Sequence, residues 1–170
     1  MKKIIITGAP CSGKTSLIQY MKLLGYETIG ETARQVIKDR SKLPLTIEEI
    51  KVRQIKIFQE QKKLESVYNS SDFTFLDRSL IDVIAYCNHL LGYVPDEIKV
   101  NPDYSHVFIL ERLPFQKDEI RIEKDDNEAE AIYFSLLNAY RSFSYNPIFV
   151  PVLPIRERAE LILNKIGGGK

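Results

Sequence analysis

The sequence predicts an α/β fold, a five-stranded parallel sheet with helices on both faces, and three observations carry that reading. Five short apolar runs rich in β-branched and aromatic residues alternate with segments of helical periodicity, the pattern of strands buried on both faces. The first run leads directly into a glycine-containing loop and then into a helix. The chain has 170 residues, 44% hydrophobic and 28% charged, which is enough for one core that needs no disulfide or metal to hold it.

Lys2–Thr7 (KKIIIT) ends at Gly8 and reads as the first strand. Gly13–Leu24 follows as a helix, with Leu17, Ile18, Met21 and Leu24 at helical spacing and Gly25 stopping it. Tyr26–Gly30 is the second strand and Glu31–Arg40 the second helix. Beyond Pro44, Thr46 and Glu49 form a capping box that opens a long helix to about Tyr68. The turn cluster Asn69–Asp72 precedes the third strand, Phe73–Leu76, which closes on Asp77-Arg78-Ser79. Leu80–Leu91 is a helix ended by Gly92, and Pro95–Val100 reads as a short helix. Val107–Leu110 is the fourth strand. Residues 117–130 hold ten charged residues in fourteen, too many to bury, so this segment is expected to be exposed. Helical spacing returns over Ala129–Phe143, Ile148–Leu153 is the fifth strand, and Ile155–Ile166 the last helix. Neither a repeat nor an interdomain linker is visible, so residues 1–166 read as one domain and 167–170 as a frayed tail.

Composition excludes several classes of function. Lys plus Arg is 24 against 23 for Asp plus Glu, so the broad basic footprint of a nucleic-acid binder is not expected. Cys11 and Cys87 lie 76 residues apart, without CxxC or His spacing, which argues against a disulfide framework or structural zinc and fits a reducing cytoplasm. No apolar run approaches the ~18 residues of a membrane span, and Ile4–Ile6 is too short for a signal peptide. His89 and His106 have no partner at ligand spacing and read as structural. The aromatic residues of Tyr133–Tyr145 read as core.

In a parallel sheet of this kind, ligands bind beyond the carboxyl ends of the strands. That rule selects the loop after Thr7, Gly30-Glu31, and Asp77-Arg78. The first is the most specific. Gly8-Ala9-Pro10-Cys11-Ser12-Gly13-Lys14-Thr15 matches GxxxxGK[ST] in full, a match expected by chance in about one chain of this length in two hundred. It also lies between a predicted strand and a predicted helix, as its mechanism requires. Glycines let the backbone curl so that successive N–H groups point at one anion, aided by the positive end of the following helix. Lys14 is expected to reach the β/γ-phosphates and the Thr15 hydroxyl to ligate Mg²⁺. With Ser16 the segment forms the nucleotide-binding set, for ATP with GTP not excluded. Asp77 ends an apolar strand at the same edge, where one carboxylate beside Thr15 suffices for a hard cation that keeps several waters. The alternative is that Asp77 merely caps the helix after Ser79.

Five segments (ITGAPCSGKT, GETARQVI, FLDRSLIDVIAY, DEIR and PVLPIRERAELIL) together resemble the P-loop NTPases, and within them the kinase branch of nucleoside and nucleotide kinases and nicotinamide riboside kinase-like domains. The pattern is most similar to a family of small AAA-domain ATPases/kinases. The resemblance covers nearly the whole chain and implies strand order 2-3-1-4-5. It implies that Arg78, within Asp-Arg-Ser, approaches an acceptor substrate, and that Glu31 orients or deprotonates the acceptor hydroxyl, with Arg34 one turn further on. Residues 112–130 take the position of the kinase lid. Asp118-Glu-Ile-Arg121 matches the lid pattern, which favours Arg121 over Arg112 and Lys117 as the arginine that closes on the transferring phosphoryl. Pro154, in Pro151-Val-Leu-Pro154, is placed by the resemblance against the nucleotide base. Plainer readings stand beside these: Glu31 as a first-turn helix acid, Arg78 as an ordinary ion-pair partner, and the lid as a solvated charge run.

Two functions fit. One is a Mg-dependent small-molecule kinase that transfers the γ-phosphoryl of ATP to a nucleoside-like hydroxyl, working as monomer or homodimer. The other is a slow ATPase or GTPase acting as a nucleotide-dependent binding switch. No NKxD base-specificity motif of the G-protein type is present, and nothing positive supports a phosphometabolite hydrolase.

Overall fold

The computed structural model describes residues 2–36, 45–67, 72–112 and 125–167. Its elements are β1 (Lys2–Thr7), α1 (Lys14–Leu23), β2 (Glu27–Ile29), α2 (Thr32–Val36), α3 (Ile47–Val67), β3 (Phe73–Asp77), α4 (Leu80–Leu91), β4 (His106–Leu110), α5 (Asp126–Ser142), β5 (Ile148–Val150) and α6 (Ile155–Ile166). All strand pairings are parallel, and the sheet order is β2-β3-β1-β4-β5, as expected.

Alternation along β1 decides what covers each face. Ile4 and Ile6 point to one side, against Leu17, Ile18 and Met21 of α1 and Ala159, Ile162 and Ile166 of α6. Ile5 points to the other, with Leu76 and Val107, against Ile81 and Ala85 of α4 and Ile132, Leu136 and Tyr140 of α5. A third cluster joins Ile57 and Phe58 of α3 to Val83, Ile84 and Cys87 of α4. Because β1 is central, its carboxyl end and that of β3 open onto one edge, with Ile6 in register with Asp77.

The helix ends follow their signals. Thr46 N donates to Glu49 at 2.8 Å and Glu49 N to Thr46 Oγ1 at 3.2 Å, the capping box ahead of α3. Gly92 closes α4 at φ 77°. Three expectations change. Pro95–Val100 is a single turn, Ile98 N to Pro95 O at 2.9 Å, because too few residues follow the proline to offset helix nucleation. β5 stops at Val150, since Pro151 has no N–H for the ladder, and Val152 N donates to the Glu111 side chain at 3.1 Å instead. α5 starts three residues early, at Asp126, because the Asp125 carboxylate accepts from Glu128 N at 3.0 Å and caps it. Residues 37–40 of the second expected helix, most of the expected lid and residues 168–170 lie outside the described residues. Among the described residues, no helix is long and apolar enough to cross a membrane, and Cys11 and Cys87 are not bonded to each other.

Candidate active site

The loop leaves β1 through Gly8, whose φ of 148° suits glycine, and a Cβ there would meet Leu110 O and Ser12 Oγ at 2.9 Å. Ala9, Pro10 and Ser12 are buried, while Cys11 is half-buried and takes φ 61°, a left-handed kink that curls the loop. Gly13, at φ 82°, is the N-cap of α1 and offers no side-chain bond, so the first amides of the helix are left for another acceptor. Lys14 opens α1 and is only 6% exposed. Its ammonium donates to Gly8 O and Ala9 O, each at 2.8 Å, and to Ser12 Oγ at 3.2 Å. Burial, with the Arg78 charge adding to it, brings the Lys14 pKa down to about 8 against the opposing pull of Asp77, Glu31 and Asp82. Thr15 and Ser16 are exposed.

Thr15 Oγ1 donates to Asp77 Oδ2 at 3.2 Å, joining the start of α1 to the end of β3. Asp77 is 1% exposed, and its Oδ1 has no hydrogen-bond partner among the described residues. Burial pushes its carboxyl up to about 6, with Lys14 opposing and Glu31 reinforcing the shift. A buried carboxylate oxygen without a donor, next to a hydroxyl, is the donor set a hard divalent cation takes while keeping its waters, so Thr15 and Asp77 fit Mg²⁺. The alternative role of Asp77 is overturned. Ser79 and Asp82 cap α4: Ser79 Oγ accepts from Ile81 N at 3.1 Å and Ser79 N donates to Asp82 Oδ2 at 2.9 Å.

Arg78 follows with φ 73°, a left-handed conformation for a non-glycine residue that turns its side chain back across the strand ends. Its Nε donates to Glu31 Oε1 at 2.9 Å, and its guanidinium lies 5.0 Å from the centre of the Tyr86 ring. Nη1 has no hydrogen-bond partner among the described residues and stands 3.8 Å from Asp82 Oδ1. Although burial opposes its charge, Tyr86, Glu31, Asp82 and Asp77 raise its pKa above the ordinary value. The two residues assigned to the acceptor side are thus paired, and Lys14 feels both charges. Glu31 immediately precedes α2. An ion pair does form at Arg78, inside the site rather than apart from it.

Sequence reasoning missed the supports. Asp82 accepts from Thr7 Oγ1 at 2.6 Å and from the Tyr140 hydroxyl of α5, which also lies 2.8 Å from Ser79 Oγ. The Ser79-x-x-Asp82 spacing was a capping signal that pointed to Asp82. On the far side of Arg78, Gln61 donates to Glu65 Oε1 at 3.0 Å and to Arg78 O at 3.5 Å, and the Tyr104 hydroxyl donates to Glu65 Oε2 at 3.1 Å. Arg158 also went unnoticed. It donates from Nη1 to Ser12 O at 2.8 Å, and its signal was a charge on the apolar stripe of α6. Pro154 is the N-cap residue of α6, and its carbonyl accepts from Arg158 N at 3.1 Å. Arg112 donates to Asp126 at the start of α5. Arg121, Lys117 and the side chain of Arg34 lie outside the described residues. His89 stands 3.7 Å from Glu128 and His106 3.4 Å from Ser105, both apart from the loop. Of the aromatic residues on α5, Tyr140 is fully buried but Phe134 is 52% exposed, so only part of that set is core.

A parallel sheet of order 2-3-1-4-5, a glycine-bounded loop after its central strand and a carboxylate at the end of the adjacent one are the architecture of a P-loop fold with the kinase-type strand order. A family model described as AAA domain matches residues 3–158, and the chain belongs to that family. Comparison with curated protein sequences returns no significant match. Among solved structures, the chain is similar to deoxyadenosine kinase from M. mycoides with bound dATP, at 20% identity and TM-score 0.65, with 98% of this chain and 100% of that one covered. NadR protein in complex with NR gives TM-score 0.74 at 14% identity, 99% of this chain covering 51% of that one. Thymidylate kinase from Candida albicans gives TM-score 0.59 at 15% identity over 98% and 92% of the two chains. At these identities the likeness is one of fold.

Proposed function

We propose that the protein is a Mg-dependent kinase that transfers the γ-phosphoryl of ATP to a hydroxyl of a small, nucleoside-like acceptor. The observation that carries this reading is a juxtaposition. Lys14, Thr15 and Asp77 stand at one sheet edge, and the Glu31–Arg78 pair stands beside them at the ends of β2 and β3. A bare triphosphate switch needs the first group and not the second.

ATP supplies the phosphoryl group; Thr15 and Asp77 would hold a Mg²⁺ ion, which when bound would offset the phosphate charge. Lys14 exchanges loop carbonyls for phosphate oxygens. Glu31, which accepts from Arg78 Nε at 2.9 Å, takes the acceptor hydroxyl proton as that oxygen bonds to phosphorus and the β–γ bridging oxygen departs. Arg78 orients the acceptor, Pro154 lies on the base side, and the resemblance assigns to Arg121 the neutralisation of charge on the transferring group.

Turnover of ATP·Mg²⁺ with a panel of nucleosides, beside turnover without acceptor, tests the reading. A phosphorylated nucleoside formed faster than ATP is hydrolysed alone is expected, and Arg121→Ala is expected to cut that rate by up to about 10³-fold with little change in ATP affinity. Hydrolysis that no acceptor accelerates would overturn the kinase reading in favour of a nucleotide-dependent switch.

A further inference from the structure

Arg158 stands where a stable fold has little use for a charge. It is four and eight residues ahead of Ile162 and Ile166 on the apolar stripe of α6, and it is 4% exposed. Its Nη1 donates to Ser12 O at 2.8 Å, but its Nε is buried without a hydrogen-bond partner among the described residues. Removing a guanidinium from water is costly, and an apolar side chain at such a position is commonly neutral or better for stability. The contact it makes is with the phosphate loop, at the peptide joining Ser12 to Gly13.

Gly13 has φ 82° and no Cβ, so sterics alone do not fix the orientation of that peptide. In a planar trans peptide the C=O and the following N–H point in opposite directions. A guanidinium that draws Ser12 O toward α6 therefore turns the Gly13 N–H away from α6. A second tie lies alongside: Glu111, whose charge acts on Arg158, accepts from Val152 N at 3.1 Å and so holds the loop that leads into α6.

We propose that Arg158 is a positioning residue for phosphate binding, fixing the Ser12–Gly13 peptide so that the loop's amides are presented to a triphosphate before it arrives. This rests on the reading of Gly8–Thr15 as a phosphate loop. The role is preorganisation: the amide array is ordered by α6 in the free protein, so binding need not order it.

The test measures the affinity of ATP·Mg²⁺ and of inorganic tripolyphosphate by calorimetry, with the unliganded melting temperature, for the parent, Arg158→Met and Arg158→Lys. Methionine keeps the apolar volume of the stripe, and lysine keeps a charge and a donor for Ser12 O. Arg158→Met is expected to weaken both ligands about tenfold without lowering the melting temperature, and Arg158→Lys to fall between it and the parent. Should the methionine variant not fold, Arg158→Leu takes its place, a loss of about tenfold for both ligands carrying the proposal and an unchanged affinity overturning it. A methionine variant that binds tripolyphosphate as the parent does, whatever its melting temperature, overturns it too. A parent that binds neither ligand overturns the phosphate-loop reading, and this inference with it.

Discussion

Lys14 shows how a single residue is prepared for a ligand. Its ammonium is buried against two carbonyls and a hydroxyl of its own loop, and that burial brings its pKa down to about 8. These partners are weaker counter-charges than phosphate oxygens, so exchanging them favours binding. Lys14→Ala is expected to lower ATP·Mg²⁺ affinity by roughly ten- to a hundredfold, the size of a lost charge-assisted hydrogen bond. Calorimetry that finds it within threefold of the parent would contradict the assignment. Glu31 is expected to behave differently. Glu31→Gln keeps an oxygen for Arg78 Nε, which otherwise donates to Glu31 at 2.9 Å, but removes the base. Phosphoryl transfer should fall by about 10²-fold or more while ATP affinity barely moves. Equal losses in the two quantities would make Glu31 a binding or structural residue. The loop residues were legible in the sequence because their spacing is itself the chemistry. Arg158 was not, because one arginine among four charged residues in Ile155–Glu160 reveals its burial only when the helix is seated on the sheet.

Among the elements, those announced by local rules are where the sequence put them: β1, α1, α4 and α6, each bounded by glycine, a capping residue or a sharp change in periodicity. Elements decided by their neighbours differ. β5 ends after Val150 because a proline removes the ladder's donor, and 95–100 is a single turn because too few residues follow Pro95 to offset helix nucleation. The connection from β1 to α1 is the element on which the site depends most, and it has no slack at Gly8. A methyl group there would stand 2.9 Å from the backbone oxygen of Leu110 in β4, and β4 cannot yield without disturbing the fully buried Phe108 and Leu110. Gly8→Ala also forces a side chain into φ 148°. The expected cost is about 1–3 kcal/mol of stability, and ATP affinity should fall by more than the melting temperature alone explains, since the loop itself must shift. Thermal denaturation with and without ATP·Mg²⁺ measures both, and an alanine variant with parental melting and parental ligand shift would refute this account of the turn.

At the scale of the whole molecule, the edge proposed to bind nucleotide is where the fold buries charge. Asp77 and Lys14 are buried with pKa values displaced toward neutrality, to about 6 and about 8, so between these values both carry charge that burial penalises. The consequences for stability have opposite signs. From about pH 4 to pH 6 the native protein retains the Asp77 proton that the unfolded chain has released, so stability from this group falls as pH rises. The buried Glu65 carboxyl, raised by burial, acts in the same direction. From about pH 8 upward the native Lys14 gives up its proton before the unfolded chain does, so stability recovers. Glu65 and the remaining groups are common to the parent and to Asp77→Asn, so the difference between their denaturation curves isolates Asp77. Relative to Asp77→Asn, the parent should lose about 1–3 kcal/mol between pH 4 and pH 6.5, at 1.36 kcal/mol for each pKa unit. A difference that stays constant over that range would mean that Asp77 titrates alike in the folded and unfolded chains. The cation should reverse the trend in the parent. Binding requires the ionised carboxylate, so Mg²⁺-dependent stabilisation by ATP should grow as pH rises through about 6, and Asp77→Asn should lack that growth. Growth of equal size in both proteins would move the cation's carboxylate elsewhere. With parallel titration curves as well, it would leave the buried, unpartnered oxygen of Asp77 without the role assigned to it.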